Sequence, residues 1–466
     1  MTLKRRLWAM AGAAAMMAAG LPGAAVAATA EPTSAPGKPK VAGKEPLRPI
    51  VFVHGSQGSA NQFQTQGKRF AANGYPSTYI DGLDYDSTFE VQKSAEIFAE
   101  LDRKIDALLK KTGADKVDLL GHSLGTYMSQ TYLKSDPARA RRVAHYVNLD
   151  GLPASELPGG VKTLAIWGEG SPDRTVVGAK NVQFPGQGHT ETVTSKESFA
   201  EAFTFFRGKA PRTTGVPLQL GLIQLAGRAV QFPRNVGVTG AKLELFRVNP
   251  STGQRIGKAI GTQKLTGDGS FSFLANGISH YEFAITRPSG HVHHFYSQPA
   301  RRTDRLIRLL TSEPGTGLDA VTDKSDNHVS VTVSRNKEWW GDQGAGSDSL
   351  TVNGTNVLNA STAPRTKRML GIFAYDAGKD GESNLVQLPA FAGLPFIGGT
   401  DLVIQADPQG KGTVKVAQKQ RNGRATETLN VPNWPSSKHR ISIAFNDYLR
   451  QRWAATGCAS TARPPC

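Results

Sequence analysis

Three residue types in this chain could together cut an acyl bond: Ser123, His189 and a carboxylate, either Asp150 or Asp173. A serine hydroxyl is a poor nucleophile until a base removes its proton, and the base must be held in one tautomer by a third group. Ser123 stands in Gly121-His122-Ser123-Leu124-Gly125, and His189 closes Pro185-Gly186-Gln187-Gly188-His189. Of the chain's 10 histidines, His54 and His122 belong to a loop and to the serine turn, His145 lies within a strand, and six fall in the C-terminal half. His189 alone follows both serine and acid in a turn after a short strand. Asp150 ends Asn148-Leu149-Asp150-Gly151, at a strand's C-terminal edge, where catalytic groups gather in open parallel sheets. Asp173 sits in the polar loop Ser171-Pro172-Asp173-Arg174, where an exposed turn residue is the plainer reading. The pattern favours Asp150 as the acid and leaves Asp173 as the alternative.

These residues need particular elements beneath them. Lys116-Val117-Asp118-Leu119-Leu120 is a short apolar strand, and 126–134 is helix-forming before Asp136-Pro137 stops it. Strand, Gly-x-Ser-x-Gly and helix in succession make a nucleophile elbow, a turn so sharp that side chains two residues either side of the serine would collide. In a chain with 50 glycines the motif alone is weak, and the flanking strand and helix give it weight. Residues 49–53 read as a buried strand, followed directly by His54-Gly55-Ser56-Gln57-Gly58-Ser59. A loop after an early strand and the residue after the nucleophile each lend a backbone N–H to an oxyanion hole. That places the donors on Ser56 and Leu124.

The spacing predicts helices over 60–71, 93–111 and 195–206, and strands over 77–80, 143–149, 161–167 and 181–184. In the second helix Ile97, Leu101, Ile105 and Leu108 recur at three- and four-residue steps. Strands alternating with helices predict an α/β domain with a parallel sheet covered on both faces. No large insertion separates Asp150 from His189, so no cap domain arises there. A site left open, or shielded only by 81–92, suits bulky or aggregated esters.

Beyond the basic, Thr/Pro/Gly-containing segment 207–217, which reads as a mobile linker, the periodicity changes to two. Lys242-Leu243-Glu244-Leu245, Ser270-Phe271-Ser272-Phe273 and Tyr281-Glu282-Phe283-Ala284-Ile285 alternate, and Asn353-Gly354 offers a hairpin turn. Residues 218–450 are therefore expected to be all-β, as two sandwiches, 216–311 and 312–450. The catalytic domain is assigned to 47–208. Bond-breaking is expected to reside wholly there, with the β half serving a substrate surface.

Lys4-Arg5-Arg6, an apolar run over 7–19 and Ala25-Val26-Ala27 predict a secretory signal peptide cleaved after Ala27, with a linker over 28–46. The residues around Arg5-Arg6 fit the twin-arginine route poorly. The formal charge of +17 fits attraction to anionic lipid or wall polymer as well as anything else. No Lys/Arg block is interleaved with aromatics as a nucleic-acid groove requires. Cys458 and Cys466, in a tail over 451–466, are expected to close one small disulfide loop. His291, His293 and His294 read as a solvated β-loop rather than metal ligands. Asp319, Asp323 and Asp326, and Asp376 with Asp380, read as surface turns rather than calcium loops. The apolar run 388–397 is either packing between domains or an exposed lipid-contacting loop.

The runs His54-Gly55-Ser56-Gln57-Gly58-Ser59-Ala60, Arg69-Phe70-Ala71-Ala72-Asn73-Gly74-Tyr75-Pro76 and Gly121-His122-Ser123-Leu124-Gly125 resemble bacterial α/β-hydrolase lipases. The whole arrangement resembles the Archaeoglobus fulgidus lipase group, in which a small hydrolase domain precedes β domains that assist lipid binding. That resemblance implies Ser123 as nucleophile, His189 as base and Asp150 as acid, with an ester or lipid substrate. No cofactor, metal or protein partner is implied. Residues 216–300 also resemble a transthyretin-like sandwich, through Thr266-Gly267-Asp268-Gly269-Ser270-Phe271. An acyltransferase with the same triad, and a non-catalytic surface-binding protein with a relict hydrolase domain, are the rival readings. Product analysis with an acceptor alcohol separates the first, and turnover of a p-nitrophenyl ester removes the second.

Overall fold

The computed structural model describes residues 47–448 apart from residue 171. The expected signal peptide, the 28–46 linker and the Cys458–Cys466 pair lie outside the described residues. Six parallel strands form the first sheet, in the order β2-β1-β3-β4-β5-β6. They are β1 (Ile50–Val53), β2 (Ile80–Leu83), β3 (Val117–His122), β4 (Val143–Leu149), β5 (Lys162–Trp167) and β6 (Lys180–Gln183). The chain runs from β1 outward to β2, then returns past β1 to β3. The strand order thus reverses between β1 and β3, and open α/β sheets bind ligands outside the strand ends at such a point. The His54–Ser59 loop and Ser123 flank this crevice from its two sides.

Every residue of β1 is fully buried because helices cover both faces of the sheet. Phe52 joins Phe63, Phe70, Phe199 and Phe203 on one face, while Val51 and Val53 join Ile97, Leu101 and Ile105 on the other. The helices are α1 (Gln64–Ala72), α2 (Ser94–Thr112), α3 (Leu124–Ser135), α4 (Pro137–Arg141), α5 (Glu191–Thr194) and α6 (Lys196–Arg207). Helix α2 starts where the Glu96 carboxylate takes the Lys93 N–H and ends at Gly113, whose φ of 68° only glycine adopts cheaply. The strand expected over 77–80 is displaced. Tyr79 N–H bonds back to the Pro76 carbonyl in a 3-10 turn, so β2 begins at Ile80.

The C-terminal half is all-β, but its two modules share a sheet. Eight strands run in the order 261–264, 242–248, 280–286, 292–297, 439–444, 331–339, 369–375, 397–401. Strand His439–Ala444 joins the modules, lying parallel to both Val292–Ser297 and Val331–Trp339. Two four-stranded sheets pack against this one, one built on 222–231, 270–276 and 304–311, the other on 349–352, 413–419 and 426–432. Period-two alternation fixes which face of a strand is buried, not which strand it pairs with.

Several other expectations change. In 388–397 the large side chains turn inward, with Phe391 fully buried against Phe373, while Pro389, Ala390 and Pro395 face solvent. The run is packing within the C-terminal module. His293 and His294 are not solvated: they are buried on a strand, bonded to Thr311 and Ser442, and to Glu282 and His439. Asp319 and Asp376 are buried too, Asp319 paired with Lys324 and Arg440.

The 207–217 segment is pinned rather than mobile. Arg69 Nε donates to the Thr214 carbonyl at 2.8 Å, and Asn73 exchanges two hydrogen bonds with the Thr213 backbone at 2.7 and 3.1 Å. Leu306 of the β half belongs to the same core as Phe52 and Phe70. Lys68 pairs with Asp304 at 2.9 Å, both side chains buried. Asp84 accepts the Ala60 N–H at 2.8 Å and binds Arg228 and Arg308 of the β half at 2.9 and 2.7 Å.

Burial disfavours the Asp84 charge, but the two guanidinium groups outweigh it and hold the carboxyl well below its ordinary value of 3.8. A lowered carboxyl pKa stabilises the fold fully above the unfolded value and is lost as pH falls below it. Replacing Asp84 with alanine strands the buried Arg308 charge, and is expected to cost about 3–5 kcal/mol, read as a lower urea midpoint at pH 7. The wild-type midpoint should fall below about pH 4, and the variant's should fall less over the same range.

Candidate active site

Strand β3 delivers His122 to the sheet edge, and Ser123 takes φ 52°, ψ −122° before α3 begins at Leu124. A non-glycine residue held there is strained, and the surroundings enforce it. A Cβ on Gly121 would lie 2.6 Å from the Gly125 carbonyl oxygen, and one on Gly125 only 2.2 Å from that of Val53. Glycine at both places is what lets strand, turn and helix close so tightly. Thr126 braces the turn: its hydroxyl donates to the Ser123 carbonyl and accepts the Leu152 N–H, both at 2.7 Å. That tie brings the loop after β4 against the elbow.

Asp150, at the end of β4, adopts φ 43° and directs its carboxylate at His189. His189 Nδ1 donates to Asp150 Oδ2 at 2.6 Å. The other oxygen accepts the Gly168 N–H and Arg174 Nη2, each at 2.8 Å. Burial opposes the Asp150 charge, yet the hydrogen bond and charge of His189, the Gly168 N–H and Arg174 outweigh it, holding the carboxyl at about 2. Asp173 lies exposed in its turn, and its neighbour Arg174 reaches the site instead.

The His189 carbonyl accepts from His122 Nε2 at 3.0 Å and from the Thr192 hydroxyl at 2.8 Å. Burial, then the neighbouring His189, keeps the His122 pKa well below 6.5, so it serves as a neutral donor. The His122 and His189 rings lie 4.6 Å apart, which sets the His189 ring beside the residue preceding Ser123. Ser123 Oγ makes no hydrogen bond among the described residues. Catalytic contacts are often loose in a substrate-free site and tighten in the Michaelis complex.

The loop after β1 abuts the serine: a Cβ on Gly55 would be 3.0 Å from Ser123 Cβ. Its N–H groups at Gly55, Gln57 and Gly58 are spent on Gln62 Oε1, Ser87 Oγ and the Gly55 carbonyl. Ser56, exposed at the loop's tip, is the candidate donor in this loop. Leu124 opens α3, so its N–H has no acceptor a turn below it and points where a helix N-terminus favours negative charge. The 81–92 segment braces this loop. Tyr85 stacks on His54 at 4.2 Å and donates to the His54 carbonyl, and Asn235 of the β half bonds the carbonyls of both Gly58 and Tyr85. Burial drives the His54 pKa down to about 4, leaving it a neutral member of the stack.

His122, Thr126, Arg174 and Asn235 were not singled out from sequence. Arg174 stands beside Asp173 in the polar loop already noted, the one sequence signal that pointed toward it.

Residues 47–143 match the lipase (class 2) family, 221–314 match the lipase C-terminal domain, and 317–449 match a further C-terminal-domain family. In fold and domain order the chain matches an α/β-hydrolase of the lipase type with C-terminal β domains. Solved structures similar to part of this hydrolase include a CIB-like hydrolase of Thermoplasma acidophilum, at 18% identity and TM-score 0.28 over 35% of this chain and 87% of that one. Aspergillus fumigatus lipase B matches at 15% identity and TM-score 0.27 over 36% and 54% of the two chains. Tomato methylketone synthase I matches at 11% identity and TM-score 0.27 over 34% and 96%.

Proposed function

We propose that the protein is an exported carboxylic ester hydrolase that cleaves acyl esters, lipids among them, through a Ser123–His189–Asp150 triad. The observation that carries this reading is the 2.6 Å Asp150–His189 bond beside a serine held at φ 52° on an elbow. His189 takes the Ser123 proton as Oγ attacks the ester carbonyl, and the Ser56 and Leu124 N–H groups hold the developing oxyanion. Asp150 keeps Nδ1 protonated and stabilises the imidazolium, which then protonates the leaving alcohol. Water attacks the acyl-enzyme by the same route and releases the acid. Export rests on Lys4-Arg5-Arg6 and the apolar run after it. The basic charge and the lack of an insertion between Asp150 and His189 favour a bulky or aggregated substrate.

A chain-length series of p-nitrophenyl esters, repeated with an acceptor alcohol, tests the reading. Free acid is expected as the main product throughout. No turnover across the series would sink the proposal, and a dominant transferred ester would make the protein an acyltransferase.

A further inference from the structure

The base sits on a loop that the catalytic domain does not hold alone. We propose that Glu338, carried by the C-terminal β module, is a positioning residue for His189, acting through its bonds to Thr190 after the base and its packing on Gly188 before it; this rests on the triad reading above. The strand Val331–Trp339 pairs regularly with 369–375 as far as Ser334, and its register breaks between Ser334 and Trp339. Bulges of this kind re-aim side chains. The side chains released here reach the catalytic domain: Asn336 Nδ2 donates to the Asn61 carbonyl at 2.9 Å, Lys337 pairs with Glu191 at 2.6 Å, and Glu338 binds Thr190.

Glu338 is fully buried. One carboxylate oxygen accepts the Thr190 N–H at 3.0 Å, the other accepts the Thr190 hydroxyl, and the Glu338 N–H donates to that hydroxyl at 3.2 Å. On the other side of the base the carboxylate packs against Gly188, where a Cβ would lie 2.0 Å from Oε1. Glycine at 188 is therefore what lets Glu338 reach the base loop. One side chain thus bonds the peptide after His189 and packs on the glycine before it, while the His189 carbonyl is held by His122 and Thr192.

The bulge is itself anchored. Arg335 and Arg421 both donate to the Glu338 carbonyl and both pair with buried Asp348, at 2.9 Å each. Arg421 also reaches Glu191 at 2.6 Å. A rigid ionic cluster in the β module thus ends in a carboxylate that sets the base. A contact that merely docked two domains could fall anywhere on their interface; this one grips the residues flanking the proton acceptor. Misplacing a reacting group by about 1 Å can cost about 100-fold in rate.

The test uses the full-length protein with Glu338→Ala, Glu338→Gln and Thr190→Val, and Ser123→Ala as reference. Active sites are counted by end-point labelling with a fluorophosphonate, and kcat and KM are measured on a soluble short-chain ester. For Glu338→Ala the expected result is a kcat per labelled site lower by about 10–100-fold, with KM within about threefold. Glutamine can still accept the Thr190 N–H, so Glu338→Gln should recover most of the rate. Wild-type kcat per labelled site in Glu338→Ala, with only fewer sites surviving, would mean a merely structural contact and overturn the proposal. So would a glutamine variant as slow as the alanine one. Should Glu338→Ala fail to fold, Thr190→Val decides: a lower kcat at unchanged KM supports the proposal, and wild-type kcat overturns it. Residual turnover by Ser123→Ala would locate the failure in the nucleophile assignment instead.

Discussion

Replacing Ser123 with alanine is expected to lower ester turnover by about 10⁴-fold or more, with the melting temperature and far-UV circular dichroism unchanged. The substitution removes one oxygen and leaves the elbow as it was, because the φ of 52° is imposed by Gly121, Gly125 and the Thr126 brace rather than by the serine hydroxyl. His189→Ala should cost about as much, and the double variant no more than either alone, since nucleophile and base act as a unit. Initial rates on a p-nitrophenyl ester check this. A Ser123→Ala protein with wild-type rates would remove the serine from the chemistry.

The second large effect is expected at the acid. Asp150→Asn should lower kcat by about 10⁴-fold, because an amide can offer its N–H to His189 Nδ1 and so stabilise the wrong imidazole tautomer. Asp173→Asn should stay close to wild type, its side chain lying exposed in a turn. The contrast is sharpened by the unequal surroundings of the two groups. Asp150 is buried with three donors, and its carboxyl is held at about 2 against an ordinary 3.8. A lowered carboxyl pKa means that Asp150 stays ionised at every pH above about 4, and that its stabilising contribution fades only as pH falls from there toward 2. The acid limb of the rate profile should therefore survive Asp173→Asn unaltered. A larger loss at 173 than at 150 would reverse the assignment of the acid.

Much of residues 47–207 could be read from the chain alone, because parallel strands buried on both faces and amphipathic helices announce themselves locally. Val143–Leu149 falls where its apolar run places it, and Ser94–Thr112 lies one residue from the helix its periodicity predicts. What stayed hidden depends on partners remote in sequence. Thr190 and Glu338 are 148 residues apart, and no spacing rule links them. The same holds for the shared eight-stranded sheet, since alternation in His439–Ala444 cannot say that it lies between strands of two modules. His293 and His294 looked solvated because their types are polar, whereas buried partners satisfy them.

These hidden contacts change how the halves relate. A chain ending near Gly208 would keep every triad residue, as the sequence reading required. It would also uncover the surface around Phe52 and Phe70 that Leu306 covers, strand the Asp84 carboxylate, and release the loop that carries His189. Point substitutions in the full chain are therefore the sounder way to separate surface binding from bond-breaking than removal of the β half.

The central claim, that Ser123 is a nucleophile made reactive by its neighbours, is met most directly by covalent labelling. A fluorophosphonate incubated with the wild-type protein and mapped by peptide mass spectrometry is expected to add one group per chain, on Ser123. The label should be absent from Ser123→Ala and form far more slowly on Asp150→Asn. A label on another residue, or an unlabelled protein that still hydrolyses p-nitrophenyl esters, would contradict the account.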